Sequence, residues 1–95
     1  MTNKLFDLSG RIALLTGATQ GLGFAIARGL GQAGATFVLN GRNAEKLEKA
    51  VSTLSKEGLT VHGSLFDVRD SNQIQQKITE VERKIGPIDV LVNNA

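Results

Sequence analysis

Ile12-Ala13-Leu14-Leu15-Thr16-Gly17-Ala18-Thr19-Gln20-Gly21-Leu22-Gly23 runs from an apolar segment into a glycine-rich turn. Beyond it, Leu22, Ala25, Ile26, Gly29, Leu30 and Ala33 recur at three- and four-residue spacing, the period of an amphipathic helix. Strand, glycine turn and helix in that order give the turn a chemical meaning. Gly17 permits a tight exit from the strand. Gly21 and Gly23, without a Cβ, let a ligand or a neighbouring strand come close to the backbone. The first N–H groups of the helix have no partner within it and lie at the positive end of its dipole, a setting suited to a pyrophosphate. The same glycines also serve a plain βα turn, so the choice rests on the rest of the chain.

Outward from that turn, strand and helix patterns alternate. Strands are predicted over about 11–16, 36–40, 60–66 and 88–93. Helices are predicted over about 21–33, from Asn43 to Gly58, and from Asp70 to Gly86-Pro87. Asn43 is a candidate N-cap, Asp70 with Gln73 resembles a capping box, and Gly34 falls where a left-handed helix cap belongs. Leu47, Ala50, Val51 and Leu54 share one face of the second helix; Ile74, Ile78, Val81 and Ile85 share one face of the third. The β-α-β-α-β-α-β order with near-continuous apolar strands predicts an α/β fold, a doubly wound parallel sheet with helices on both faces. Right-handed crossovers order the strands 3-2-1-4 and put the topological switch between the first and the fourth. Thr16-Gly17 and Asn93-Asn94 then meet at one crevice beyond the carboxyl ends of the strands, where ligands of such sheets bind.

The 95 residues make one domain, 1–95. The hydrophobic share of 41% is that of an ordinary globular protein. With no cysteine, disulfides and thiolate metal sites are excluded, and no metal site is expected. The net charge of +2 comes from basic residues scattered among acidic ones, as in Glu45/Lys49 and Glu80/Lys84 at i,i+4 spacing. That pattern fits solvated helix surfaces and gives no nucleic-acid footprint. Met1 to Asp7 lacks the apolar stretch of a signal peptide, and no run approaches the roughly 18 apolar residues of a membrane span. The expectation is a cytoplasmic protein with neither membrane nor nucleic acid as partner.

Thr16-Gly17-x-x-x-Gly21-x-Gly23, the later Asn93-Asn94-Ala95, the lead-in Leu8-Ser9-Gly10-Arg11 and the Asp67-Val68 pair, in the right order, resemble the short-chain dehydrogenase/reductase family. The whole chain matches that family's amino-terminal, cofactor-binding half. The resemblance implies a Rossmann-type sheet, NAD(H) or NADP(H) as cofactor, and hydride transfer between small-molecule alcohols and ketones. It implies that Gly17, Gly21 and Gly23 form the turn under the pyrophosphate, with Thr19 and Gln20 in the same binding turn and the Leu22 N–H near a phosphate or the nicotinamide ribose. It implies that Asp67 accepts a hydrogen bond from the adenine amino group and that the Val68 N–H reaches a ring nitrogen. Asn93 would tie the fourth strand to its neighbours, Asn94 and Ala95 would line the ribose side, and Thr16 would order the turn through its hydroxyl. The plain alternative for Asp67 is a carboxylate capping a loop.

Cofactor choice turns on the end of the second strand. NAD enzymes hold the ribose 2′-OH with an acidic residue there, and counting about 24 residues from Gly17 reaches Gly41, with Arg42 next. A carboxylate would repel a 2′-phosphate; a glycine leaves room, and a guanidinium binds phosphate with two parallel hydrogen bonds. NADP(H) is therefore expected over NAD(H), with Asn40 adding a polar contact. Gln20 stands where many NADP-using members carry a second cation, and the plain alternative for Arg42 is a solvated loop cation.

The family's proton donor is a Tyr with a Lys four residues on, helped by a Ser and an Asn. This chain contains no Tyr. An alkoxide left by hydride transfer needs a tuned acid, and nothing here substitutes: His62 falls on the third strand away from the crevice, and Ser64 and Thr79 have no base partner. No catalytic residue is expected in these 95 residues. The chain is read as an incomplete domain supplying the cofactor site, cut inside a motif, of a parent enzyme that the resemblance makes a homotetramer. Phe6-Asp7-Leu8-Ser9-Gly10 and Leu39-Asn40-Gly41-Arg42-Asn43 are similar to the gluconate 5-dehydrogenase branch, which interconverts gluconate and 5-ketogluconate. The alternatives are a 3-oxoacyl carrier-protein reductase, another polyol or sugar dehydrogenase, a non-catalytic NADP(H)-binding module, and a remnant that does not fold alone.

Overall fold

In the computed structural model, which describes residues 7–93, Ile12–Thr16 form β1 at the centre of a parallel sheet. The chain continues through α1 (Gly21–Gln32), β2 (Thr36–Gly41), α2 (Ala44–Lys56), β3 (Val61–Leu65), α3 (Ser71–Lys84) and β4 (Val90–Asn93). The strands lie in the order β3-β2-β1-β4, and every neighbouring pair is parallel. This is the doubly wound α/β arrangement that the alternation of apolar segments predicts, with the switch between β1 and β4.

β1 and β2 lie inside the sheet with both faces covered, which is why they read as continuous apolar runs. Their two-residue alternation divides the core. Ala13, Leu15, Phe37 and Leu39 cluster with Ala27 of α1 and with Leu47 and Leu54 of α2. Leu14 and Val38 lie on the opposite face and meet Val81 of α3, flanked by Ile78, Ile85 and Ile88. Each fully buried side chain of this size contributes roughly 1.5–3 kcal/mol, so the two central strands hold most of the fold's driving force.

Two element boundaries differ from expectation for a physical reason. β4 begins at Val90, because Ile88 turns into the α3-side core and Asp89 works at the foot of the sheet. Its N–H donates to Ile12 O at 2.8 Å, and its Oδ2 accepts from the Ile12 N–H at 2.9 Å. The single Asp of an apolar run thus starts the strand rather than interrupting it. β3 is shorter than 60–66, although Thr60 O still accepts from Phe37 N at 3.0 Å and Phe66 N donates to Gly41 O at 3.2 Å.

The helix starts also have identifiable causes. Asn43 Oδ1 accepts from Lys46 N at 3.0 Å and caps α2. Asp70 Oδ1 accepts from Asn72 N at 3.0 Å and Gln73 N at 3.2 Å and caps α3. The capping box is altered, however. Gln73 Oε1 accepts from the Asp67 N–H at 3.2 Å, so the first turn of α3 holds the loop that follows β3. Glu80–Lys84 closes at 3.1 Å, while Glu45 and Lys49 form no ion pair among the described residues. Among the described residues, no helix is long and apolar enough to cross a membrane.

Candidate functional site

The carboxyl ends of β1, β2 and β3 open onto the same side, and the glycine turn sits there. Gly17 and Gly21 have φ of 61° and 65°, a left-handed conformation that only glycine adopts freely. They swing the chain off β1 and into α1. Gln20 is the N-cap of α1 and supplies no side-chain hydrogen bond, and the first turn carries no acidic residue, so no carboxylate of α1's first turn repels an anion there. Gly23 is buried, and Leu22 is 72% exposed at the rim of the turn.

Asn40 is the clasp of this end of the sheet. It is 2% exposed, and its amide is engaged within the protein. Oδ1 accepts from Gly17 N at 3.3 Å, while Nδ2 donates to Ser64 O at 3.2 Å and Phe66 O at 3.0 Å. One side chain therefore joins the glycine turn, β2 and the end of β3. Its polar contacts are spent on protein rather than offered to a ligand. A Cβ at Gly41 would lie 2.7 Å from the Thr19 methyl, so on that side the glycine lets the turn close against β2. Thr16 donates its hydroxyl to Asn93 Oδ1 at 2.9 Å, so it reaches across to β4. Asn94 and Ala95 lie outside the described residues.

A hollow of about 350 Å³ opens beyond these ends, lined by Gly17, Asn40, Gly41, Arg42, Phe66, Asp67, Val68 and Arg69. A second, of about 360 Å³, lies beside it toward β4 and α3, and shares Phe66, Val68 and Arg69 with the first. Both are in the size range of small-ligand pockets. The sheet topology thus brings the residues singled out on three separate stretches (Gly17, Arg42 and Asp67-Val68) around one concavity. Thr19, Gln20 and Gly21 line a shallower groove on the far side of the turn, together with Lys46 and Lys49.

The electrostatics of the first hollow centre on Asp67. Arg69 grips its carboxylate two-pronged, Nη2 to Oδ2 at 2.8 Å and Nε to Oδ1 at 3.1 Å, and the Arg69 N–H adds a bond to Oδ1 at 2.9 Å. These bonds to Arg69, with a smaller contribution from the field of Arg42, hold the carboxyl at about 2, below its ordinary 3.8. Because the folded value is depressed, the pair's contribution to stability is complete above about pH 4 and fades as the pH falls toward 2. A carboxyl ¹³C titration should find Asp67 ionised at pH 3, and Arg69→Leu should return it toward 3.8. A midpoint unmoved by that substitution would refute the assignment of cause.

Arg69 is the residue that sequence reading missed. It falls two positions after Asp67 in a loop, and the only available signal was that spacing, which allows a side chain to return to the carboxylate. Arg42 makes no ion pair among the described residues. His62 is exposed on β3 at the sheet edge, away from the hollow, and Thr79 donates its hydroxyl to Gln75 O at 2.9 Å within α3. Among the described residues, no group of His, Cys, Asp and Glu is arranged to hold a metal ion.

A parallel sheet of order 3-2-1-4, with a glycine turn and hollows beyond the carboxyl ends of its strands, defines a Rossmann-like α/β protein. The chain belongs to the short-chain dehydrogenase family, whose sequence model matches residues 11–95. It is 50% identical over 91 residues to a gluconate 5-dehydrogenase of Gluconobacter oxydans, covering 96% of this chain and 36% of that protein. It is 46% identical over 96 residues to a 2-dehydro-3-deoxy-D-gluconate 5-dehydrogenase of Formosa agariphila, covering all of this chain and 36% of that one. Among solved structures, a gluconate 5-dehydrogenase from Burkholderia cenocepacia in complex with NADP and tartrate superposes with a TM-score of 0.88 at 44% identity, covering 95% of this chain and 35% of that one. The chain thus spans about a third of the length of the relatives it matches.

Proposed function

We propose that these residues form the nucleotide-binding part of an NADP(H)-dependent oxidoreductase that interconverts a sugar-acid alcohol and its ketone, with gluconate and 5-ketogluconate as the first pair to test. The observation that carries this reading is the position of Arg42: it follows β2 directly, lines the hollow with Asp67 and Val68, and has no acidic residue beside it at the strand end. A guanidinium there suits a 2′-phosphate. The relative solved with NADP supports the same choice of cofactor, and the gluconate and deoxygluconate dehydrogenases among the relatives support the substrate class.

In this reading the cofactor supplies and accepts the hydride. The chain's own residues hold it: the turn from Gly17 to Gly23 takes the pyrophosphate, Arg42 the 2′-phosphate, and Asp67 and Val68 the adenine edge. Proton transfer falls to residues outside this segment, which carries no Tyr. The parent enzyme would work in the cytoplasm as a homotetramer. Titration of the protein with NADPH and NADH, read by nicotinamide fluorescence, tests the cofactor. Tighter NADPH binding is expected, equal affinities would overturn the preference, and no binding of either would overturn the nucleotide site.

A further inference from the structure

We propose that Arg69 sets the preference for a phosphorylated adenosine by neutralising Asp67, the carboxylate that shares the hollow with Arg42. The inference rests on the nucleotide reading above and deepens it. Asp67 and Arg42 line the same concavity, so a bare Asp67 would offset Arg42 and stand as a negative charge against a dianionic phosphate. The structure shows that Asp67 is not bare. Arg69 reaches it with two side-chain nitrogens, at 2.8 and 3.1 Å, and with its backbone N–H at 2.9 Å. The loop is fixed from its other end by Gln73 of α3, which accepts from the Asp67 N–H at 3.2 Å. The carboxylate keeps its charge and geometry while its field is cancelled, and the hollow is left net positive. Arg69 is 74% exposed in its side chain, so the pair itself adds little to stability and its effect is on the field. Arg69 is therefore a positioning residue, acting on the ligand through Asp67.

Two probes that differ only at the 2′ position isolate this effect: adenosine 2′,5′-bisphosphate and adenosine 5′-monophosphate, titrated calorimetrically into the protein. Arg69→Gln should weaken the bisphosphate about tenfold and change the monophosphate by less than about twofold, with the loss shrinking at high salt. Arg69→Lys should keep most of the preference. The double variant Asp67→Asn/Arg69→Gln, which removes both charges, should restore the ratio of the two affinities even if both fall together. Equal losses for the two probes in Arg69→Gln, or a ratio not restored in the double variant, would overturn the proposal. So would a matching loss in Lys46→Gln, which would move the phosphate to the groove beside Gln20. An unsubstituted protein that binds neither probe would instead reject the nucleotide reading on which the proposal rests.

Discussion

Arg42→Asp should invert the nucleotide preference proposed above. Affinity for NADPH is expected to fall about a hundredfold, while that for NADH holds or rises, because the change swings the local charge by two units against a dianion. The new carboxylate would also be placed to accept from a ribose 2′-OH. Position 42 is the right place for the exchange because its side chain is exposed and in no ion pair among the described residues. Gly41 is not. An Asp there puts its Cβ within 2.7 Å of the Thr19 methyl and drives the turn away from β2, so Gly41→Asp should weaken both nucleotides instead of exchanging them. Paired fluorescence titrations of the two variants make the distinction. An NADPH-to-NADH ratio left unchanged by Arg42→Asp would remove Arg42 from the site.

Asn40→Leu should be the most damaging single change for the fold at this end. The volume is nearly kept, but Ser64 O and Phe66 O lose their donor and the Gly17 N–H loses this acceptor, all around a residue 2% exposed. Phe66 O is left in a buried setting and Ser64 O and the Gly17 N–H in part-buried ones, which costs about 2–3 kcal/mol in sum. In a domain of this size that corresponds to a fall in Tm of roughly 10–25 °C. Thermal unfolding followed by circular dichroism gives the answer, and a Tm within about 3 °C of the parent would refute the clasp. The expected size follows from geometry: one amide ties three segments that are otherwise joined here by backbone bonds such as Ala18 N to Asn40 O at 3.4 Å and Phe66 N to Gly41 O at 3.2 Å.

The fold was legible because its information is local. Leu14 and Leu15, Val38 and Leu39 lie on alternate faces of two covered strands, and each helix between strands shows its apolar stripe and its cap within a dozen residues. The strand order then follows from handedness. The site was legible as far as main chain decides it, since glycines mark turns by their own chemistry. It was less legible wherever a side chain chose between partners that are distant in sequence. Asn40 reads as a polar residue at a strand end, yet its neighbours are fixed only when β3 arrives beside β2. The Thr16 hydroxyl reads as a turn group and reaches β4. Gly41 reads as open space, yet its Cβ direction meets the Thr19 methyl, because the distance between two loops is a property of the assembled sheet.

The pairing of β1 with β4 has a consequence for assembly. β1 to β2 and β2 to β3 are each joined through one helix, whereas Thr16 meets Asn93 across 77 residues. Loop-closure entropy makes that contact costlier than the local pairings, and it has no further strand beside it among the described residues to share the cost. The crevice at the switch is therefore completed by the same contact that completes the sheet. A ligand seated between the ends of β1 and β4 draws the closing equilibrium toward the finished state by mass action, so binding and the closing of the sheet are coupled at one place in the chain.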